Sequence, residues 1–388
     1  MHPITVGVIG GGQLCRMMGE EIVRKKLPFE LVTLDPTEGC PAAPFAKKQI
    51  VADFKDSKAI RELAEQSDVM TYEIELAGYE TLHELENMGK KVHPSSHTLQ
   101  IVQDKFRQKS FLQSRGLPVP DFREVASSES IVRAAEWFGY PLMLKARTDS
   151  YDGRGNYLIK DSREIDTALA HFNGRRLMVE QYIEFDKEVS VIAARGTNGE
   201  IRTYPVGENI HEDNILRTTI VPARMDKATA QKAEALAAKT LKELRGAGVF
   251  GIEMFVRAGE VMINEIAPRV HNSGHYTIEA CPTSQFEQHL RAITGMPLGS
   301  TELLRPAVMV NILGPQGYSG LYEVDMKEAG FFRGVHMHTY GKKTTSPKRK
   351  LGHLTVLGNQ DAPLEDVVAR AQAMESTIRI KRLQEMKA

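Results

Sequence analysis

Val261-Met262-Ile263-Asn264-Glu265-Ile266-Ala267-Pro268-Arg269-Val270-His271-Asn272-Ser273-Gly274-His275 sets an apolar strand ending in a carboxylate directly against a loop rich in arginine, histidine and asparagine. A ligand for a hard cation and a cradle for an anion thus lie a few residues apart. Twelve positions before Glu265 stands Glu253, inside a second apolar run, Val249-Phe250-Gly251-Ile252-Glu253-Met254-Phe255-Val256. Arg257-Ala258-Gly259-Glu260 reads as the hairpin connection between them. An odd number of loop residues would place Glu253 and Glu265 opposite each other on one side of the sheet. Two carboxylates there can hold Mg2+, whose remaining ligands are phosphate oxygens of a nucleotide triphosphate. The alternative is a pair of solvated hairpin glutamates, because a buried unpaired carboxylate is costly.

Composition narrows the function classes. The chain has 388 residues, 41% hydrophobic and 26% charged, which points to a globular protein of two or three domains. Its 50 basic and 50 acidic side chains balance, so nothing favours a broad nucleic-acid or membrane surface, and an anionic ligand must be held by local clusters. Cys15, Cys40 and Cys281 are far apart and form no C-x-x-C pair, which argues for a reducing compartment and against structural zinc. Without a basic-apolar leader pattern or a membrane-length apolar run, a cytoplasmic protein is expected.

Residues 4 to 96 alternate short apolar runs with helical patterns. The strands are expected at Ile4 to Ile9, Phe29 to Leu34, Gln49 to Val51, Val69 to Tyr72 and Val92 to His93. This alternation implies an α/β fold with a doubly wound parallel sheet. After the first strand, Gly10-Gly11-Gly12 opens a helix near Gln13 and offers either an anion site or only a tight turn, since Cys15 occupies the place of a third fingerprint glycine. Asp35, before Pro36, reads as a loop aspartate. From residue 98 the pattern changes: a helix follows Asp104-Lys105, and Tyr140 to Arg147 is a strand carrying Lys145 among apolar residues. Tyr151-Asp152-Gly153-Arg154-Gly155-Asn156 has the glycines of a loop that wraps phosphate. Leu177 to Ile183 is a further strand, Lys187 to Val191 begins the next, and a long helix runs from Ala228 to Leu244. Ala307 to Leu313 and Leu354 to Leu357 are strands, and Leu364 to Met374 a helix.

Transfer from ATP needs cationic donors along the phosphates, a holder for the metal and a pocket for the base. Lys105 and Lys145 supply charge, and a lysine within an apolar strand calls for a partner because desolvating an ammonium is expensive. The edge at Glu180-Gln181-Tyr182-Ile183 can present backbone groups to adenine, and Glu188 can accept ribose hydroxyls; both glutamates also fit solvated strand ends. A second cluster suits anions: Arg154, Arg269, His271 and Asn272, with Tyr340-Gly341-Lys342 and Lys348-Arg349-Lys350-Leu351-Gly352-His353. Lys348 to Lys350 read equally as a solvated basic loop.

On these residues the chain resembles the ATP-grasp enzymes, and among them the N5-carboxyaminoimidazole ribonucleotide synthetase family, ATP-dependent carboxylases of purine biosynthesis. The resemblance rests on Gly10 to Leu14, Tyr72-Glu73-Ile74-Glu75, Pro94-Ser95, Asp104-Lys105, Tyr151 to Gly155, Asn264 to Arg269, His271 to Ala280, Tyr340 to Lys342 and Arg349-Lys350-x-Gly352-His353. It departs from the family at three places: Cys15 replaces a usual glycine, Thr148-Asp149-Ser150 precedes Tyr151 where glycines are usual, and Val270 sits where proline is common. The second departure implies a stiffer phosphate loop.

The resemblance implies an N-terminal domain over 1–97, a lid subdomain over 98–185, a catalytic subdomain over 186–300 and a C-terminal domain over 301–388 packed on it. It also implies the reaction, in which bicarbonate attacks the γ-phosphate of ATP to give carboxyphosphate and 5-aminoimidazole ribonucleotide is carboxylated on its exocyclic amine. Glu253 and Glu265 would hold Mg2+. Lys105, Lys145, Tyr151, Gly153, Glu180 to Ile183 and Glu188 would bind ATP, while Arg269, His271 and Asn272 would take bicarbonate, with His271 either a base or a binding group. Tyr151, Asp152 and Arg154 would orient the acceptor nucleotide, and Lys342, Arg349 and Lys350 would grip its phosphate. The family implies a homodimer. Rival readings are another ATP-grasp ligase, such as a formate-using glycinamide ribonucleotide transformylase or a biotin-dependent carboxylase subunit, and a regulatory protein that keeps the fold without the chemistry.

Overall fold

Short runs of Val, Ile and Leu separated by helical segments build the first layer. Strands β1 (Ile4–Ile9), β2 (Phe29–Leu34), β3 (Ala46–Ile50) and β4 (Val69–Tyr72) pair in parallel in the order β3-β2-β1-β4. The computed structural model describes residues 2–148, 155–325, 332–360 and 362–383. The strand expected at Val92 to His93 is a single bridge from Met70 to Val92, because Pro94 has no N–H to extend the pairing.

A second sheet comprises β5 (Phe122–Val125), β6 (Leu142–Ala146), β7 (Asn156–Ile159) and β8 (Leu177–Gln181), ordered β5-β8-β6-β7. It carries its own core, in which Leu142, Leu144 and Val179 pack on Ile131 and Phe172 of two covering helices.

The third and largest sheet takes β9 (Lys187–Arg195), β10 (Ile201–Thr203), β11 (Gly207–Glu212), β12 (Ile215–Val221), β13 (Gly248–Arg257), β14 (Glu260–Ala267) and β15 (Ala307–Leu313). After β16 (Gly320–Asp325) the chain adds β17 (Val335–Thr339), then β18 (Thr344–Thr345) and β19 (Lys350–Leu357), and β20 (Arg379–Arg382) ends it. Among the described residues the order is β14-β13-β9-β11-β12-β15-β19-β17, with β10 on β9, while β18-β16-β20 form a small separate sheet. The large sheet runs without a break through residue 300, since β12 bonds directly to β15. β9 is buried along most of its length because the helices Lys227–Leu244 and Gln285–Thr294 both pack against it. The largest core cluster joins the first layer to this sheet, bringing Met17 and Leu31 together with Ile192, Phe286 and Tyr340.

The hairpin that carries the two glutamates departs from its expected geometry. Its turn holds two residues, Ala258 at φ 49° and Gly259 at φ 75°, the left-handed pair of a tight primed turn. Such an even loop pairs Arg257 with Glu260 and Met254 with Ile263, and by itself would set Glu253 against Asn264. A bulge at Asn264 supplies the missing residue, and beyond it Glu253 pairs with Glu265. The odd-loop expectation is therefore corrected: the turn is even, and the bulge places both carboxylates opposite each other.

Candidate active site

The ends of β9, β11, β13 and β14, the first layer and the C-terminal strands converge on one cleft of about 1060 Å³. It gathers Lys105, Glu188, Glu253, Glu265, Arg269, His271, Asn272, Lys342, Arg349 and Lys350 from the residues singled out in the sequence. Tyr151, Asp152, Gly153 and Arg154 lie outside the described residues.

At the centre, Lys105 stands at the start of the helix Lys105–Ser114, which Asp104 caps by accepting from the N–H groups of Phe106 and Arg107. Its Nζ donates to Glu265 Oε1 at 2.5 Å. Burial works against the Glu265 carboxylate, yet the Lys105 ammonium holds its pKa below the ordinary value. Glu253 behaves oppositely: burial pushes its carboxyl up, and the charges of Glu265 and Glu188 push in the same direction. Like charges facing across a bulge make a place that a divalent cation would relieve. Among the described residues no cluster of three or more His, Cys, Asp or Glu could hold a metal. Two carboxylates that rely on a ligand's phosphates for the remaining coordination fit Mg2+ rather than zinc.

Glu188 meets His211 of β11, whose Nδ1 approaches its Oε2 at 2.8 Å. Burial lowers the His211 pKa, but the bond to Glu188 outweighs it and raises the value overall. Sequence reasoning missed His211, since the irregular alternation of β11 gives no sign of which face it presents.

Lys145 and Glu180 are not among the residues that line this cleft. Glu180 is 2% exposed and bonds Lys145 at 2.6 Å and Lys109 at 3.3 Å. Lys145 also reaches Asn264 Oδ1 of the bulge at 3.4 Å, and Lys109 donates to the Ile263 carbonyl at 3.2 Å. Despite burial the two ammonium groups hold Glu180 down at about 2, while burial brings Lys109 to about 8. The reading of Glu180 as a solvated strand end is corrected by its burial, and β8 is not an edge strand. β8 lies between β5 and β6, so Glu180 and Gln181 are committed to their ladders, and Tyr182 and Ile183 follow the strand's end. Lys109 was legible in principle, because it follows Lys105 by four residues and shares its helix face.

The loop after β14 is held from several sides. Arg269 Nε meets Glu75 Oε1 at 2.8 Å, and its Nη1 donates to the Val270 carbonyl at 3.1 Å. His271 lies over Gly251, where an added Cβ would come within 2.4 Å of the histidine Cβ. Its Nδ1 contacts Ser273 Oγ at 2.9 Å and its Nε2 stands 3.5 Å from Glu253 Oε1. The Asn272 amide is engaged in a reciprocal pair with Asn311, at 2.9 and 2.7 Å. Across the cleft Lys342 Nζ donates to the Lys350 carbonyl at 2.7 Å and Arg349 Nη1 to the Thr344 carbonyl at 3.0 Å. The glycine turn is occupied from within: Glu73 accepts from the N–H groups of Gly12 and Cys15, and Asp35 accepts from Gly11 N at 2.9 Å. A protein carboxylate thus fills the anion position at this helix N-terminus.

Comparison with known proteins places this geometry in context. Residues 110–286 match an ATP-grasp domain, residues 3–103 a ribonucleotide synthetase preATP-grasp domain, and residues 307–366 a phosphoribosylaminoimidazole carboxylase C-terminal domain. A relative from Bacillus subtilis, N5-carboxyaminoimidazole ribonucleotide synthase, is 40% identical over 357 residues, covering 91% of each chain. The crystal structure of N5-carboxyaminoimidazole ribonucleotide synthetase from Thermotoga maritima superposes with a TM-score of 0.88 at 45% identity, covering 97% of this chain and 99% of that one. A structure of the Aspergillus clavatus synthase in complex with ADP and 5-aminoimidazole ribonucleotide gives a TM-score of 0.84 at 35% identity, covering 95% and 99%.

Proposed function

This chain belongs to the N5-carboxyaminoimidazole ribonucleotide synthases, and from that premise we propose a role for each group in its cleft. The enzyme carboxylates the exocyclic amine of 5-aminoimidazole ribonucleotide at the expense of ATP, a step of purine biosynthesis. One observation carries the assignment of roles: the opposed pair Glu253 and Glu265 shares a cleft with the Arg269–His271 loop and the basic segment around Lys342 and Arg349.

Bicarbonate attacks the γ-phosphorus of ATP, the bond to the β-phosphate oxygen breaks, and ADP leaves. The amine then attacks the carboxyl carbon of carboxyphosphate, or the CO2 it releases; phosphate departs and one amine proton is lost. Glu253 and Glu265 would hold Mg2+, which would offset phosphate charge. Lys105 serves the phosphates, with Lys145 assigned to them on the family resemblance alone; the end of β8 from Glu180 to Ile183 frames the base through its backbone, and Glu188 with His211 binds the ribose. The planar guanidinium of Arg269 suits a planar carbonate, and His271 and Asn272 complete that pocket. Lys342, Arg349 and Lys350 take the acceptor's phosphate. Tyr151 and Gly153 are assigned to ATP, and Tyr151, Asp152 and Arg154 to the acceptor, on the family motif alone.

We place the enzyme in the cytoplasm as a homodimer; the free Cys15, Cys40 and Cys281 support a reducing compartment, and sedimentation tests the dimer. The division into units at 97, 185 and 300 is part of the same proposal.

The test is the acceptor. With bicarbonate present, 5-aminoimidazole ribonucleotide should stimulate ADP release and yield one carboxylated product per ADP. Stimulation by formate plus glycinamide ribonucleotide instead would overturn the assignment. For the ribose contact, Glu188→Gln is expected to raise the ATP KM about tenfold or more with kcat within a few fold, since a charge-assisted hydrogen bond contributes about 1.5–3 kcal/mol to binding. Steady-state kinetics at varied ATP would check it.

A further inference from the structure

Gln285 does a job that the reaction scheme leaves unassigned. It is the first residue of the helix Gln285–Thr294, fully buried, and its side chain reaches away from that helix to the loop at His271. Its Oε1 accepts from His271 N at 2.8 Å, and its Nε2 donates to the His271 carbonyl at 2.7 Å. One amide thus fastens both polar groups of a single backbone residue. Gly274 permits the approach, since a Cβ there would come within 2.6 Å of Gln285 Oε1.

The same Nε2 lies 3.0 Å from His275 Nδ1, which makes that nitrogen the acceptor and leaves the proton on Nε2. The His275 ring packs on His353 at 4.7 Å, and His353 Nδ1 bonds the Tyr340 hydroxyl at 3.0 Å. Tyr340 precedes Gly341 and Lys342. A buried polar array therefore runs from the His271 loop to the segment that carries Lys342. An amide cannot pass a proton along such a chain, so its contribution is positional.

We propose that Gln285 is a positioning residue: it fixes the His271 backbone so that the imidazole, with Gly251 beneath it and Ser273 on Nδ1, directs Nε2 towards the carbonate pocket. This rests on the carbonate assignment made above. A misplacement of about 1 Å in such a group can cost on the order of a hundredfold. The loss should fall on retention of the activated carbonate more than on the nucleotide, whose assigned contacts at Lys105 and Glu188 lie on other elements.

The experiment measures carboxylated product formed per ADP released, with KM values for ATP and bicarbonate, in wild type, Gln285→Leu, Gln285→Glu and His271→Ala. In Gln285→Leu, product per ADP is expected to fall below about half and the bicarbonate KM to rise about tenfold, with the ATP KM within twofold. Gln285→Glu keeps the shape and covers the case in which the leucine variant does not fold. Its carboxyl regains a donor only when protonated, so its stoichiometry relative to wild type should improve as pH falls. If both glutamine variants keep one product per ADP while His271→Ala loses it, the clamp is wrong and the carbonate assignment stands. If His271→Ala also keeps one product per ADP, the carbonate assignment itself fails. A uniform loss across all parameters in the Gln285 variants, without uncoupling, would make the residue part of the core only.

Discussion

Glu265→Gln is expected to lower ATP turnover by about a thousandfold or more while leaving the fold intact. Metal stabilisation of transition-state charge contributes several kcal/mol, and about 4 kcal/mol corresponds to a factor of a thousand in rate. The neutral amide binds a hard cation poorly, and it leaves Lys105 a hydrogen bond without the opposite charge it now has at 2.5 Å. Stability should fall only modestly, because relief of the repulsion between the two carboxylates across the bulge offsets part of the Lys105 ion pair that is weakened. Single-turnover ADP formation beside a thermal melt separates the two effects. Turnover close to wild type would reject the metal role of Glu265.

The largest effect on stability is expected from Glu180→Gln, at about 3–5 kcal/mol, because it strands two buried ammonium groups. Lys109 and Lys145 are 2% and 7% exposed, and both depend on Glu180. The pH dependence has a definite sign. Glu180 titrates at about 2 in the folded protein against 4.5 as a free group, so its contribution is complete above about 4.5 and is lost as pH falls towards 2. The variant lacks this acid dependence. Lys109 behaves conversely: burial sets it at about 8 against 10.5, the unfolded chain binds more protons between those values, and stability rises with pH there. Removing Glu180 should widen that rise towards neutral pH. Urea midpoints measured from pH 3 to 9 on both proteins would show it, and superimposable midpoints would refute it.

This cluster also marks where sequence reading reached its limit. Lys145 was legible as a lysine within an apolar strand that needs a partner, and the partner proved to be Glu180 of the adjacent β8. No local pattern reveals that β8 is central rather than an edge, because strand order is set by tertiary packing. The parallel first layer, the helix after Asp104 and the hairpin at Glu253 were readable because apolar runs, caps and turn glycines act over a few residues. The short strands β10, β16, β18 and β20 were not, since they carry little apolar alternation. At the site, Arg269, His271 and Lys342 were visible as an anion-binding composition. Glu75, His211 and Asn311, which hold them or their neighbours, come from distant parts of the chain and leave no trace in spacing. Glu73 shows the same limit, because the glycine turn reads equally as an anion site or a tight turn until the carboxylate seated in it is seen.

The extra residue at Asn264 ties two distant measurements of the hairpin together. Its two-residue reversal and its local widening compensate: lengthening the reversal by one residue while leaving the widening in place would rotate one acidic group to the far side, and removing the widening alone would do the same. A one-residue change in either feature must therefore be matched in the other, so odd-numbered insertions at the tip, some six residues from the chemistry, are constrained by the chemistry itself.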